Sequence, residues 1–297
     1  MKELAHCTLC PRRCGARREK AGQGFCKSGY ELRIARAALH FWEEPPISGK
    51  NGSGAVFFTG CPLGCIYCQN REISNVAAPP GKTLSPAELS GIFFELIEQG
   101  AHNINLVTPT HFMPLIREAL LYRPLPVPVV YNTSGYETVE ALQALEGLVD
   151  IYLPDFKYAE SALAKALSHA ENYPEVCIST IGEMVRQAGA PVYEENGLMK
   201  RGVLIRHLIL PGHTRNSIQV LEQIAEHFPG IPVSLMAQYT PPEQFPEQEQ
   251  FPELTRAVTR RELQKVEDRL FSLGLDGFVQ SRSARGRQYL PDFHQFD

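Results

Sequence analysis

Six short apolar runs, each followed by a segment with helical spacing, constrain this chain more than any other feature. The runs are Ala55 to Phe58, Asn103 to Val107, Val127 to Tyr131, Asp150 to Leu153, Val203 to Leu210 and Pro232 to Ala237. Strands that alternate with helices connect by right-handed parallel crossovers, so the expected class is α/β with a parallel sheet. Ser85-Pro86-Ala87-Glu88 forms a capping box with proline at the first helical position, and Leu89, Ile92, Phe93, Leu96 and Ile97 keep helical spacing until Gly100. Further helices are expected over 115–121, 139–148, 161–169, 174–188 and 217–228, with a last one opened by Thr259 and Glu262. Asn196-Gly197 predicts a hairpin turn just before the fifth run. A partial (β/α)6 TIM-type barrel accommodates this order best. A doubly wound open sheet is the alternative, because counting strands does not show curvature.

Directly after the first run stands Cys61-Pro-Leu-Gly-Cys65-Ile-Tyr-Cys68, three thiols spaced so that one loop can turn all three sulfurs to one side. Closed zinc sites and complete 4Fe–4S clusters each take four protein ligands. Three thiols leave one iron of a cluster open to another ligand; a zinc site with a distant fourth ligand is the competing arrangement.

The stretch Gly60 to Asn70 resembles the cluster loop of radical S-adenosylmethionine (SAM) enzymes, and is most similar to those that resemble pyruvate formate-lyase activating enzyme. The resemblance runs from about residue 55 to 240. It implies a 4Fe–4S cluster on Cys61, Cys65 and Cys68, and a barrel of the radical SAM kind. It also implies reductive cleavage of SAM to methionine and a 5′-deoxyadenosyl radical that abstracts hydrogen. An electron donor of the flavodoxin or ferredoxin class is implied as partner. The radical's target is open between a glycyl radical enzyme or other protein and a small molecule or peptide. A non-enzymatic iron–sulfur or zinc protein is the reading from a different class, and the polar strand ends argue against it.

Those strand ends supply the expected SAM contacts. Thr108-Pro109-Thr110-His111 stands where many radical SAM proteins carry Gly-Gly-Glu, and the hydroxyls of Thr108 and Thr110 are able to accept the same hydrogen bonds. His111 reads equally as a site residue or a helix-starting polar residue. Asn132-Thr133-Ser134-Gly135 resembles the Asp-Thr-Asn-Gly of the activating enzymes, which places Asn132 and Ser134 at SAM. Asp155-Phe156-Lys157 resembles their Asp-Leu-Lys, and implies that Lys157 pairs with the SAM carboxylate. Arg206, with Leu210-Pro211-Gly212 behind it, follows the family's Arg-x-x-x-x-Pro-Gly. An arginine inside an apolar strand needs a partner. Met236-Ala237-Gln238-Tyr239 occupies the place of the family's Leu-Pro-Tyr-His, with Gln238 and Tyr239 the expected pocket residues.

Cys7, Cys10, Cys14 and Cys26 make a second set in an appendage too small for a core of its own. Four thiols suit a closed zinc site or a second cluster. Arg12, Arg13, Arg17 and Arg18 are expected to form a solvated basic face, and Cys177, in an apolar helical pattern, a packed core thiol. The expected division is a Cys-rich segment over 1–54 and a barrel domain over 55–297. The Pro-, Glu- and Gln-rich segment 240–253 is expected to be irregular, a solvated loop or a lid beside the site.

At a net charge of −4 the chain has no electrostatic case for nucleic acid or an anionic membrane. No apolar run reaches the ~20 residues that span a bilayer. Met1 to Cys7 has no apolar stretch of the signal-peptide kind. Seven of eight cysteines crowd into the first 68 residues, which reads as metal ligation in a reducing compartment, and a cytoplasmic location is expected.

Overall fold

The computed structural model describes residues 6–19, 22–74, 79–280 and 293. Its strands are β1 (Leu32–His40), β2 (Ser53–Phe58), β3 (Lys82–Leu84), β4 (Ile104–Val107), β5 (Val129–Thr133), β6 (Ile151–Pro154), β7 (Val192–Tyr193), β8 (Met199–Val203), β9 (Ile205–Leu208), β10 (Val233–Met236) and β11 (Gly277–Gln280). The helices are α1 (Pro45–Ser48), α2 (Arg71–Ser74), α3 (Pro86–Glu98), α4 (Met113–Tyr122), α5 (Val139–Gln143), α6 (Ser161–Ser168), α7 (Tyr173–Ala188), α8 (Thr214–His227) and α9 (Arg260–Ser272). No helix among the described residues is long and apolar enough to cross a membrane.

Strands β2, β4, β5, β6 and β8 pair in parallel, in chain order. β8 runs on into β9 across Leu204, and a parallel bridge from Asp155 to Arg206 carries the pairing around the bend. β9, β10 and β11 then continue in parallel. Winding in a single direction belongs to a barrel, whereas a doubly wound sheet reverses its order at a switch point. This decides against the open-sheet alternative. All six expected strands are present, and β11 adds a seventh parallel position. β1 was not foreseen; it pairs antiparallel with β2 on one side and β3 on the other. The latter half of the segment before residue 55 is therefore part of the barrel sheet.

Alternation along each strand separates two cores. β2 is buried at every position, as a central parallel strand must be. Val56, Leu106, Tyr131, Tyr152, Ile205 and Leu235 point outward into the layer under the helices. Val130, Ile151, Leu153 and Leu204 point inward with Ile47 of α1, and Phe57 meets Phe293 edge-on at 5.5 Å. The capping boxes at Ser85/Glu88 and Thr259/Glu262 form as expected, and the 192–203 hairpin turns at Asn196-Gly197. Segment 240–251 carries no regular element, yet Phe245 is buried, and a 3-10 turn follows at Pro252–Thr255.

Ile151 is wholly enclosed in the inner layer, so Ile151→Ala should cost about 2–5 kcal/mol from lost transfer energy plus a cavity. Leu121, more than half exposed on α4, should change stability by less than ~0.5 kcal/mol when cut to alanine. Urea unfolding of the two variants beside the parent checks the contrast.

Candidate active site and metal centres

The three-thiol loop begins where β2 ends, at the rim to which barrel ligands come. Gly60 turns the chain there with φ +83°, and a Cβ on it would stand 2.5 Å from the Cys26 carbonyl. Only glycine fits, because the loop lies directly against the N-terminal segment. Each sulfur then meets at least one hydrogen-bond donor. The Leu63 N–H points to Cys61 Sγ at 3.4 Å, the Ser168 hydroxyl to Cys65 Sγ at 3.0 Å and the Ser74 hydroxyl to Cys68 Sγ at 3.3 Å. Burial, reinforced by the neighbouring thiols, pushes the Cys61 thiol up to about 12 and raises Cys68 as well. Sulfurs so placed ionise when a metal supplies positive charge, and their donors are those a thiolate accepts. Among the described residues no group of His, Cys, Asp or Glu side chains closes around a single metal ion.

Behind Cys65 the donors form a chain. Tyr67 and Tyr158 share a hydroxyl contact of 2.7 Å, Tyr158 meets Ser168 Oγ at 2.6 Å, and Ser168 reaches the sulfur. Burial raises both phenols well above their ordinary value, so they stay neutral and serve as hydrogen-bond groups.

Facing the loop is a buried ionic array. Arg206, inside β9, meets Asp155 through Nε at 2.9 Å, the Asn132 Oδ1 at 2.6 Å and Glu43 at 3.3 Å. Lys157 Nζ sits 2.6 Å from the other Asp155 oxygen. Burial alone would raise the Asp155 carboxyl, but Arg206 and Lys157 together hold it below its ordinary value. Burial would lower the Lys157 ammonium, and Asp155 with Cys65 reverses that shift. Lys157 is thus an enclosed cation at the strand ends, within electrostatic range of the thiols, and not a solvated surface lysine.

The expected SAM contacts divide by what their side chains are already doing. Among the described residues, Ser134 Oγ and Gln238 Oε1 are buried atoms without a hydrogen-bond partner, and Lys157 has one carboxylate partner for three donors. Thr110 donates to Glu137 at 2.7 Å, and Thr133 donates to the same carboxylate, which burial pushes up to about 7. Asn132 and Arg206 are engaged with each other and with Glu43. Thr108 holds φ +58°, a conformation that a β-branched residue rarely takes, at the end of β4. His111 is buried beneath the loop with Nε2 at 2.7 Å from the Thr59 carbonyl, and burial drives its pKa down to about 3. It is a neutral structural donor. Tyr239 is buried with its hydroxyl on the Leu254 carbonyl, and Cys177 is an enclosed core thiol. Glu43 was missed: in sequence it belongs to a charged, proline-flanked stretch that reads as loop.

In the N-terminal segment Cys7, Cys14 and Cys26 all lie within electrostatic range of Cys10, whose thiol burial pushes up to about 12. The expected solvated basic face is corrected at two of its four arginines. Arg12 lies over the Phe25 ring at 3.8 Å. Its guanidinium donates to the carbonyls of Pro62 (2.9 Å) and Leu63 (3.0 Å), between the first two loop thiols, and to Ser168 (2.6 Å) and His169. Arg18 is only 1% exposed and donates to the carbonyls of Gly29 and His111. Carbonyls left at loops and helix ends recruit these cations, because a buried acceptor without a donor is costly.

The chain is similar to several known proteins. A Methanocaldococcus jannaschii protein described as uncharacterized protein MJ0674 is 29% identical over 269 residues, covering 88% of this chain and 73% of the relative. A domain of pyruvate-formate lyase-activating enzyme from Bacteroides vulgatus superposes with TM-score 0.37 at 15% identity, covering 66% of this chain and 91% of that one. Streptococcus suis SuiB bound to S-adenosylmethionine superposes with TM-score 0.48 at 13% identity, covering 74% and 45%. The Radical SAM superfamily model matches residues 55–225, more than half of the 297 residues, and spans the three-thiol loop and the strand ends from β2 to β9. The chain belongs to the radical SAM superfamily.

Proposed function

We propose that this protein is a radical SAM enzyme of the activating-enzyme-like kind, with a 4Fe–4S cluster on Cys61, Cys65 and Cys68 and SAM held at the strand ends by Lys157, Ser134 and Gln238. The observation that carries it is the donor set: three sulfurs, each with a hydrogen-bond donor, together with an enclosed ammonium and two buried oxygens that have no partner among the described residues. When bound, the cluster and SAM together supply an electron and a 5′-deoxyadenosyl radical for hydrogen abstraction. The side chains do the rest. Lys157 turns from Asp155 to share its donors with the SAM carboxylate, while Arg206 keeps Asp155 ionised and in place. Ser134 and Gln238 accept from the amino or ribose groups. The electron comes from a flavodoxin- or ferredoxin-class donor, in keeping with a cytoplasmic setting.

Cys7, Cys10, Cys14 and Cys26 hold a second centre, zinc or a cluster, that orders the N-terminal segment by metal-coupled folding. The target is either a protein, including a glycyl radical enzyme, or a small molecule or peptide. The polar barrel interior favours the second of these.

The decisive experiment is addition of SAM to anaerobically reconstituted, reduced protein under paramagnetic resonance. A changed cluster spectrum is expected, and alanine at any of Cys61, Cys65 or Cys68 should abolish 5′-deoxyadenosine formation. An unchanged spectrum at saturating SAM sinks the proposal.

Lys157→Ala removes a charged hydrogen bond worth about 1.5–3 kcal/mol, a loss of roughly tenfold to a hundredfold in SAM affinity with the cluster still assembled. Calorimetric titration with SAM and iron analysis read the two halves separately.

Ser168→Ala takes a donor from Cys65 Sγ. The donor stabilises the more negative, reduced state, so its loss should lower the cluster potential by roughly 20–65 mV, the equivalent of one net hydrogen bond. A redox titration followed by paramagnetic resonance checks the sign. A variant without the four N-terminal thiols should contain less metal than the parent; equal content means that the second centre does not exist.

A further inference from the structure

Arg12 stands between Cys10 and Cys14 in the chain, yet its side-chain hydrogen bonds all cross to the barrel. Nε donates to the Pro62 carbonyl at 2.9 Å, and Nη2 to the carbonyls of Leu63 at 3.0 Å and Ser168 at 2.6 Å. Nη1 donates to the His169 carbonyl. These acceptors flank two of the three loop thiols. Pro62 and Leu63 directly follow Cys61, and Ser168 is the residue whose hydroxyl meets Cys65 Sγ at 3.0 Å. The guanidinium lies within electrostatic range of both thiols.

Its charge is left uncancelled. Every acceptor is a neutral carbonyl, and its faces meet the rings of Phe25 at 3.8 Å and Tyr136 at 5.4 Å. None of these partners is a carboxylate. Lys157, by contrast, has Asp155 against it at 2.6 Å. The acceptors also include the end of a helix. Ser168 is the last residue of α6 and His169, at φ +53°, is its cap. The Ile66 N–H takes the Leu167 carbonyl at 3.0 Å, and Arg12 takes the next two. A helix C-terminus carries partial negative charge in its free carbonyls. Here that end adjoins Cys65, and Arg12 offsets it.

Reduction adds one negative charge to an iron–sulfur cluster, and a nearby cation favours the more negative state. We propose that Arg12 sets the reduction potential of the cluster on Cys61, Cys65 and Cys68, raising it by its charge. This deepens the radical SAM reading and rests on it. The N-terminal segment then serves electron uptake directly, besides packing against the loop.

The test is a redox titration of the anaerobically reconstituted full chain, followed by paramagnetic resonance. Arg12→Gln should lower the ratio of reduced to oxidised cluster at a fixed poise roughly threefold, equivalent to about 30 mV for one electron. Arg12→Lys keeps the charge and should recover most of that loss. Arg13→Gln removes the same charge at the exposed neighbour and should leave the ratio unchanged. His169→Asp carries the test if Arg12→Gln loses its cluster. Aspartate tolerates the left-handed backbone there, keeps the carbonyl acceptor and sets a carboxylate near the guanidinium, so the ratio should again fall. An unchanged ratio in Arg12→Gln, or in His169→Asp where it stands in, overturns the proposal. So does a shift in Arg12→Lys as large as in Arg12→Gln, which would make the grip on the loop the cause and not the charge. An equal shift in Arg13→Gln overturns it too. The response of the parent's spectrum to SAM is read in the same samples. Its absence would strike the radical SAM reading, and its presence with unmoved potentials would strike this inference alone.

Discussion

Arg206 is the residue around which the barrel interior is arranged. A guanidinium inside a strand is tolerated only if it is neutralised and hydrogen-bonded, and its partners come from three places far apart in the chain. Asp155 lies just past β6, Asn132 ends β5 and Glu43 belongs to the β1–β2 link. The Asp155–Arg206 bridge is also where pairing passes from one side of the sheet to the other. One cation therefore fixes the bend of the sheet, the ionisation of Asp155 and the path of the link. Lys157 inherits its position from this arrangement, because Asp155 could not hold a second cation if Arg206 did not already fix its carboxylate.

A separate set of contacts joins the N-terminal segment to the three-thiol loop. Arg12 and Arg18 spend their donors on main-chain carbonyls of the barrel instead of on solvent. Gly60 lets the loop approach within contact of Cys26. The sulfurs are then dressed from three directions, by the loop's own N–H, by Ser74 and by Ser168 at the end of α6.

Much of this architecture could be read from residue order because parallel strands are buried on both faces and so appear as continuous apolar runs. The loop thiols were readable for a chemical reason, their spacing and odd number. β1 escaped because its half-exposed pattern, with Arg33 and Arg36 inside it, resembles neither a buried strand nor a clean alternation. β11 escaped for the same reason. Arg12 and Arg18 looked solvated because their acceptors are carbonyls, which leave no trace in a sequence. Glu43 and Glu44 left no local signal, because burial of a carboxylate depends on partners that sit roughly 60 to 240 residues away. Local pattern reports periodicity and turn chemistry well, and reports long-range polar pairing hardly at all.

The Arg12 contact has a consequence for how such a chain changes over generations. Arg12 lies between Cys10 and Cys14 and grips the carbonyls of Pro62 and Leu63, between Cys61 and Cys65. A lineage that discards the N-terminal cysteines strands two acceptors beside its reactive loop, and one that lengthens the loop strands the guanidinium. The two cysteine sets are mechanically one heritable unit, so insertions and losses in either should be matched in the other.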